Sequence, residues 1–266
     1  MLFEQALIDF KQLHPSNLPI LIVVPVTGSS AVLADITTQL IHFSRIFGKS
    51  RVLISFGVDQ RRSDDIYSQI HQTSEALLNS KILHNLRITK DLDEWTYSTL
   101  QGYIHDFEVA VVLRGIICAN DLALLVINAF ENDADLACSV DITFTPEHRA
   151  TTSTGNIDIA SGEPIPTEDL VRAKRFIQTQ CCDGSVKVIS FRRAVAPRLF
   201  GESCRSIRSD KFVPSEQTIE IQRSEARVMI SPSVKSSPHP DDFRSAMQLG
   251  FMDTQGYDYR PLLWEE

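Results

Sequence analysis

The stretch EVAVVLRGIICANDLALLVINAFENDADLACSVDITF, residues 108–144, decides the fold. The predicted strand at 108–114 is apolar at every position from 109 to 113, which is typical of a strand buried on both faces of a sheet. A leucine-rich helix at 120–132 and a second strand at 134–142 follow after short connections. A strand–helix–strand unit of this size predicts two parallel strands joined by a right-handed crossover.

The same alternation extends back toward the N-terminus. Apolar side chains at helical spacing in residues 1–18 predict an amphipathic helix packed on the body. Together these patterns predict an α/β fold with a doubly wound, mainly parallel sheet. Strands are expected at 19–26, 51–58 and 81–89, and helices at 63–79, 92–107 and from Ser29 or Ser30 to Phe47.

After residue 144 the pattern changes. Residues 145–166 are rich in Thr, Gly and Pro and predict a long loop, with a helix at 167–180 after it. We expect one domain over 1–266, whose alternating half, 19–144, precedes a loop-rich, irregular α+β half, 145–266. In that second half we expect short strands at 186–191, 218–222 and 226–231, and a short helix from Asp241.

Composition narrows the classes of function. The 266 residues carry a net charge of −8, which disfavours nucleic acid as a partner. The apolar run at 20–26 is too short to cross a bilayer, so no membrane partner is expected. Five cysteines, an odd number without a C-x-x-C pair, favour a reducing compartment, and we expect a cytoplasmic protein with buried thiols.

The carboxyl ends of the predicted strands are the expected ligand site. Open parallel sheets bind ligands at that edge, which here comprises 25–30, 56–62, 114–121 and 141–144. One glycine in VTGSS does not make a G-x-G-x-x-G motif, which disfavours a dinucleotide cofactor. We expect a small-molecule substrate.

Residues 111–144 resemble the fungal capsule-type α-1,3-mannosyltransferases of glycosyltransferase family 69. That family has a strand ending in Asn-Asp, then an apolar pair, a Cys, an acidic helix start and a second strand ending in Cys-Ala-Met-Asp. The resemblance extends to residues 50–65 and to a C-terminal block, and it covers about 20–236. The matching residues are Cys118, Asp121, Leu122, Leu125, Cys138, Asp141, Gly201, Glu202, Pro232 and Val234.

The resemblance implies a GT-A-like fold, a GDP-mannose donor and a divalent metal, Mn²⁺ or Mg²⁺, which would hold the diphosphate. This sequence departs from the family's pattern at the position where the family has its metal-binding acid. Leu113 and Arg114 replace the family's Asn-Asp, which reverses the charge there, and Ile207 stands where the family has a second Glu. Several departures around one site indicate a lost donor–metal function.

Three residues are the catalytic candidates: Arg114, Asp141 and Glu202. Arg114 is either a structural arginine paired with a strand-end acid such as Asp141, or a fixed cation that replaces the metal. Asp141 is an acid/base, the partner of Arg114 or a cap of the following loop. Glu202 has the same functional alternatives.

Four residues are candidates for substrate binding. Trp95 and Tyr97 precede the Arg114 strand and form either core or pocket wall. Asp158 lies in the long loop and could line a lid. His239 lies in the C-terminal segment, where GT-A enzymes often have a metal-ligating histidine, and is alternatively a surface side chain.

Three hypotheses of function follow. The first is a glycosyltransferase-like protein repurposed as a cytosolic, metal-independent enzyme of fungal secondary metabolism, which cyclises or isomerises a small molecule without a cofactor. The second is an active mannosyltransferase that uses GDP-mannose and Mn²⁺ or Mg²⁺ held by Asp141 and Asp158. The third is a non-enzymatic relative that binds a protein partner, with a homodimer through the N-terminal helix as its sign.

Overall fold

The structure, a computed structural model, describes residues 3–13, 19–26, 30–61, 64–144, 156–158, 176–179, 186–191, 228–237, 241 and 244–245. The predicted strand at 218–222 and the candidates Glu202 and His239 lie outside the described residues. The described helices are α1 (Phe3–Leu13), α2 (Ser30–Phe47), α3 (Asp64–Asn79), α4 (Leu92–Gly102) and α5 (Ala119–Glu131).

The described strands are β1 (Ile20–Val26), β2 (Val52–Asp59), β3 (Leu83–Thr89), β4 (Val109–Leu113), β5 (Ile116–Ile117), β6 (Leu136–Phe144), β7 (Asn156–Asp158), β8 (Phe176–Thr179), β9 (Val186–Ser190) and β10 (Val228–Ser237). They form one sheet in the order β3-β2-β1-β4-β9-β6-β10-β5, and β8 pairs with β6 and with β7.

The sheet is mainly parallel, which confirms the predicted fold class. Strands β1 to β4 are parallel neighbours. Strand β9 lies antiparallel between β4 and β6, so β6 runs in the same direction as β4, and β10 is parallel to β6. The carboxyl ends of six strands therefore share one edge.

At the centre of the sheet both faces are buried, because β1 and β4 are apolar and buried at every position. Along β1, Ile20, Ile22 and Val24 face the large core formed with α2, α3 and α5. Leu21 and Val23 face the smaller core beneath α4. In the part of the chain that the structure covers, no helix combines the length and apolarity needed to cross a membrane.

Helix α1 packs on the body, as its apolar spacing predicts. Phe10 is 3% exposed and makes edge-to-face contacts with Phe47 and Phe130, with ring centroids 5.9 and 5.7 Å apart. The apolar face of α1 is thus used within the chain. Cys118 and Cys138 are buried as small apolar side chains, also as predicted. The homodimer stays a prediction.

The predicted helix at 167–180 is wrong where the structure describes it. Residues 176–179 form β8, which pairs antiparallel with the end of β6, so strand pairing overrides helical propensity. Helix α4 ends at Gly102, earlier than predicted, because Tyr103 leaves the helical conformation at φ −106° and ψ 6° and the Ile104 N–H bonds only three residues back, to Gln101 O. Residues 156–158, predicted as loop, form β7.

Candidate functional site

Four parallel strands end side by side at the predicted ligand edge, at Val26, Asp59, Thr89 and Leu113. The ends of β2 and β3 are joined beyond the strands, since the Gln60 N–H donates to Thr89 O at 2.8 Å. Polar and charged side chains follow immediately after three of these ends. The edge is therefore where the apolar sheet gives way to groups that can bind a ligand.

Arg114 directly follows β4 and contacts the helix α4. One terminal guanidinium nitrogen of Arg114 donates to Asp93 Oδ1 at 2.5 Å. The two side chains are 17% and 30% exposed. Water therefore reaches the pair, but it screens the pair less than it would at an open surface.

Asp93 is held in place by the cap of α4. Asp91 precedes the helix, and its Oδ1 accepts the N–H groups of Asp93 and Glu94, both at 2.9 Å. An aspartate at this position satisfies helix N–H groups that have no partner inside the helix. The carboxylate that Arg114 meets thus belongs to a rigid first turn. The sequence suggested a strand-end acid such as Asp141 as one possible partner and did not indicate Asp93, which looks like an ordinary first-turn acid.

A second guanidinium–carboxylate pair lies at the end of β2. Arg61 donates through Nε and a terminal nitrogen to the two carboxylate oxygens of Asp59, at 3.0 and 2.9 Å. These hydrogen bonds, and then the charge of Asp59, raise the pKa of Arg61. Arg61 is exposed, so the pair contributes little to stability. It does neutralise the acid that ends β2.

Asp141 lies on β6 and is oriented by two buried serines. Ser236 Oγ donates to Asp141 Oδ1 at 2.7 Å and lies 2.6 Å from Ser139 Oγ. Since Ser236 gives its one proton to Asp141, Ser139 supplies the proton of the contact between the two serines, and Val186 O, at 3.3 Å, is its alternative acceptor. Buried hydroxyls with partners on both sides fix the carboxylate, as an acid/base group requires.

Arg114 and Asp141 lie at the same edge with β9 between their strands. On one side of β9, Leu113 of β4 pairs with Val186. On the other side, Cys138 of β6 pairs with Lys187, the next residue of β9, so the register places the ends of β4 and β6 close together. Two strand spacings, about 10 Å, separate the two backbones. A small molecule could span that distance.

The other candidates lie away from this pair. Trp95 is 4% exposed and packs in the smaller core. Tyr97 packs partly against the same core, and its hydroxyl accepts from Gln101 Nε2 at 2.9 Å. Asp158 ends β7 and is separated by β8 from Thr143 of β6. A role for these residues in substrate binding stays a prediction.

The divalent metal that the resemblance implies stays a prediction. Within the described ranges, no three His, Cys, Asp or Glu side chains come together as a metal site. Asp59 and Asp93, the acids at the ends of β2 and α4, each face a guanidinium. The positive charge of Arg114 at the expected metal position would repel a second cation.

The helix after Arg114 has a cap that sequence reasoning missed. Cys118 precedes α5 and makes no side-chain cap hydrogen bond. Gln39 of α2, 3% exposed, supplies the acceptor instead, and its Oε1 binds the Ala119 N–H at 2.9 Å. No local signal marks Gln39, because its contact depends on how α2 packs against α5.

Comparison with solved structures agrees with this architecture. TarS 1–349 from S. aureus aligns with a TM-score of 0.50 and 12% identity, over 87% of this chain and 64% of that one. PcManGT, a mannosyltransferase from Pyrobaculum calidifontis solved with GDP-Man and Mn²⁺, gives a TM-score of 0.48 at 11% identity, over 89% of this chain and 68% of that one.

The chain has the GT-A-like fold of glycosyltransferases. This chain covers 64% of the TarS fragment. The shared fold therefore does not assign the activity of TarS to this chain. No protein-family model matches the sequence, and a search of curated proteins gives no match. Membership of family 69 therefore stays a prediction.

Proposed function

We propose that this chain is a GT-A-fold enzyme repurposed for a small anionic or carbonyl substrate, with Arg114 as the fixed cation of the site. The ion pair between Arg114 and Asp93 at the end of β4 carries the proposal. A guanidinium is always charged and presents its N–H groups in a planar fork that suits phosphate, carboxylate or a polarised carbonyl. Asp93 fixes the direction of that fork.

The charge balance supports a site that works without a divalent cation. Arg114 is positive where the resembled family has an acid, and Asp93 already faces Arg114. A preorganised guanidinium in a partly screened position stabilises developing negative charge in the way that a metal ion does in other enzymes. Binding by Arg114 needs no deprotonated carboxylate cluster.

Asp141 is the proposed acid/base group. Its carboxylate accepts from Ser236, and its strand ends at the same edge of the sheet as the Arg114 strand. Glu202 stays a prediction as the third catalytic residue. Cyclisation and isomerisation, a fungal secondary pathway and a cytoplasmic location also stay predictions, because no contact among the described residues distinguishes them.

The test uses inorganic pyrophosphate as the anion probe, measured by thermal shift and calorimetry in the presence of EDTA. We expect pyrophosphate to raise the unfolding temperature of the native chain and to leave that of the Arg114→Gln variant unchanged. Arg45→Gln, which removes an exposed arginine on α2, is the matched control and should respond as the native chain does. Binding that survives Arg114→Gln would overturn the role of Arg114.

The same titration with GDP-mannose separates this proposal from the metal-dependent mannosyltransferase. We expect Mn²⁺ to leave the affinity for GDP-mannose unchanged. Tight binding of GDP-mannose that appears only with Mn²⁺ would establish the alternative and refute a metal-independent site.

A further inference from the structure

A cleft lies away from the strand ends, between β3 and α4. Helix α4 packs over β1 and β2, and β3 is the last strand of the sheet on that side. The gap between the helix and the edge strand has a volume of about 460 Å³. That volume lies within the usual range of small-ligand sites, roughly 300–1,000 Å³.

The floor of the cleft is polar where the rest of this sheet face is apolar. Val23, Ser55 and Asn85 lie side by side on β1, β2 and β3. The face thus changes from valine in the core to hydroxyl and amide in the cleft. Ser55 is 2% exposed, so its hydroxyl is a buried polar group that needs a partner.

A hydrogen-bonded chain crosses this floor to the helix. Ser55 Oγ donates to Asn85 Oδ1 at 2.5 Å, and Asn85 Nδ2 donates to Tyr103 Oη at 3.3 Å. The amide of Asn85 is therefore held in one orientation. The ring of Tyr103 packs edge-to-face against the ring of Phe107, with an interplanar angle of 86°, and this contact fixes the phenol at the cleft wall.

The remaining lining groups offer donors. The Tyr103 oxygen accepts from Asn85, which leaves the phenol proton for a ligand. Arg87 lines the cleft, and in the part of the chain that the structure describes it makes no ion pair. Thr99, which carries a hydroxyl, also lines the cleft. The cleft has free space beside Gly102, since a Cβ at that position would meet no atom within 4 Å.

We propose that this cleft binds a small phosphorylated carbohydrate. The guanidinium of Arg87 and the hydroxyl of Thr99 suit the phosphate, since both can donate to its oxygens. The fixed amide of Asn85 and the phenol of Tyr103 suit sugar hydroxyls, which need donors and acceptors in set directions. The ring of Tyr103 adds an apolar face for the C–H groups of the sugar.

The test titrates the full chain with glucose 6-phosphate, and with inorganic phosphate and glucose as probes of each half of the ligand. We expect glucose 6-phosphate to bind more tightly than either probe. Equal affinity for inorganic phosphate would overturn the carbohydrate assignment. No binding of glucose 6-phosphate or mannose 6-phosphate at millimolar concentrations would overturn the site.

Variants locate the ligand. Gly102→Leu fills the cleft, and Arg87→Gln and Tyr103→Phe remove donors, so we expect each to weaken binding by about tenfold or more. Arg45→Gln, at an exposed position on α2, is the control and should keep the native affinity. Loss of affinity in Arg114→Gln, with none in Arg87→Gln or Gly102→Leu, would place the ligand at the strand-end site and overturn the cleft.

Discussion

The indole ring of Trp95 lies directly on the backbone of Gly57. A Cβ built on Gly57 would lie 2.2 Å from Cε3 of Trp95 and 2.5 Å from two further ring atoms. Any side chain at position 57 would therefore displace the first turn of α4. Since that turn carries Asp93, the contact between Gly57 and Trp95 also sets the position of the Arg114 ion pair.

We expect Gly57→Ala to lower the free energy of unfolding by about 1–3 kcal/mol, because the added methyl overpacks the core. Urea unfolding measures this change. Gly102→Ala is the matched control: its methyl meets open space, so helix propensity should raise stability by up to about 1 kcal/mol. An unchanged midpoint for Gly57→Ala would contradict the close contact with Trp95.

The pair of Arg114 and Asp93 should show a measurable coupling. We expect a double-mutant cycle of Arg114→Gln and Asp93→Asn to give an interaction energy of about 1–2 kcal/mol, because a partly buried, charge-assisted hydrogen bond is lost. Chemical unfolding of the four proteins provides the measurement. Additive effects of the two substitutions would show that the two side chains are not coupled.

Two helices end in the same motif without the usual glycine. After α3, Lys81 has φ 57°, with Ile82 N–H bonded to Leu77 O at 3.0 Å and Lys81 N–H bonded to Leu78 O at 2.8 Å. Asp133 has the same φ after α5. This is the left-handed region, which costs most residues roughly 1 kcal/mol.

We therefore expect Lys81→Gly and Asp133→Gly each to stabilise the chain by roughly 1 kcal/mol. Thermal unfolding would show the gain. Lys81→Ala is the control, since it removes the charged side chain but keeps the backbone strain, and it should not stabilise. A gain in Lys81→Ala equal to that in Lys81→Gly would attribute the effect to the side chain.

His42 should make stability depend on pH. Burial, and then the charge of Arg45, lower the pKa of His42 below its ordinary 6.5. Below pH 6.5 the unfolded chain therefore binds a proton that folded His42 does not, so unfolding becomes easier as the pH falls toward the folded pKa. His42→Gln should flatten this acid-side slope in urea unfolding. His71→Gln, at an exposed position on α3, is the control and should leave the slope as it is.

The alternating half could be predicted because its signals are local. The apolar runs of β1, β2 and β4 and the amphipathic helices between them appear in the sequence, and short parallel units permit few arrangements. The strand at 186–190 was also predictable. Its place in the sheet was not, because its pairing with β4 and β6 links residues far apart in the chain.

The site was predictable in position but not in its partners. Ligands of open parallel sheets bind at the carboxyl ends of the strands, and this places Arg114 in the expected site. Arg114 is unusual there because the resembled family has an acid at this position. Asp93 lies 21 residues earlier, and nothing local distinguishes it from a first-turn acid. Its contact with Arg114 depends on how α4 packs against Gly57 of β2. That packing is a tertiary contact, and the residue pattern of the sequence does not show it.

Strand β9, antiparallel between β4 and β6, sets an order for folding. Until residues 186–190 are synthesised, β4 ends the sheet with an unpaired edge, and β6 pairs with none of the earlier described strands. Such long-range closure is slow, because a long loop must be ordered before its contacts form. A chain truncated after residue 144 would expose the apolar edge of β4 and should aggregate.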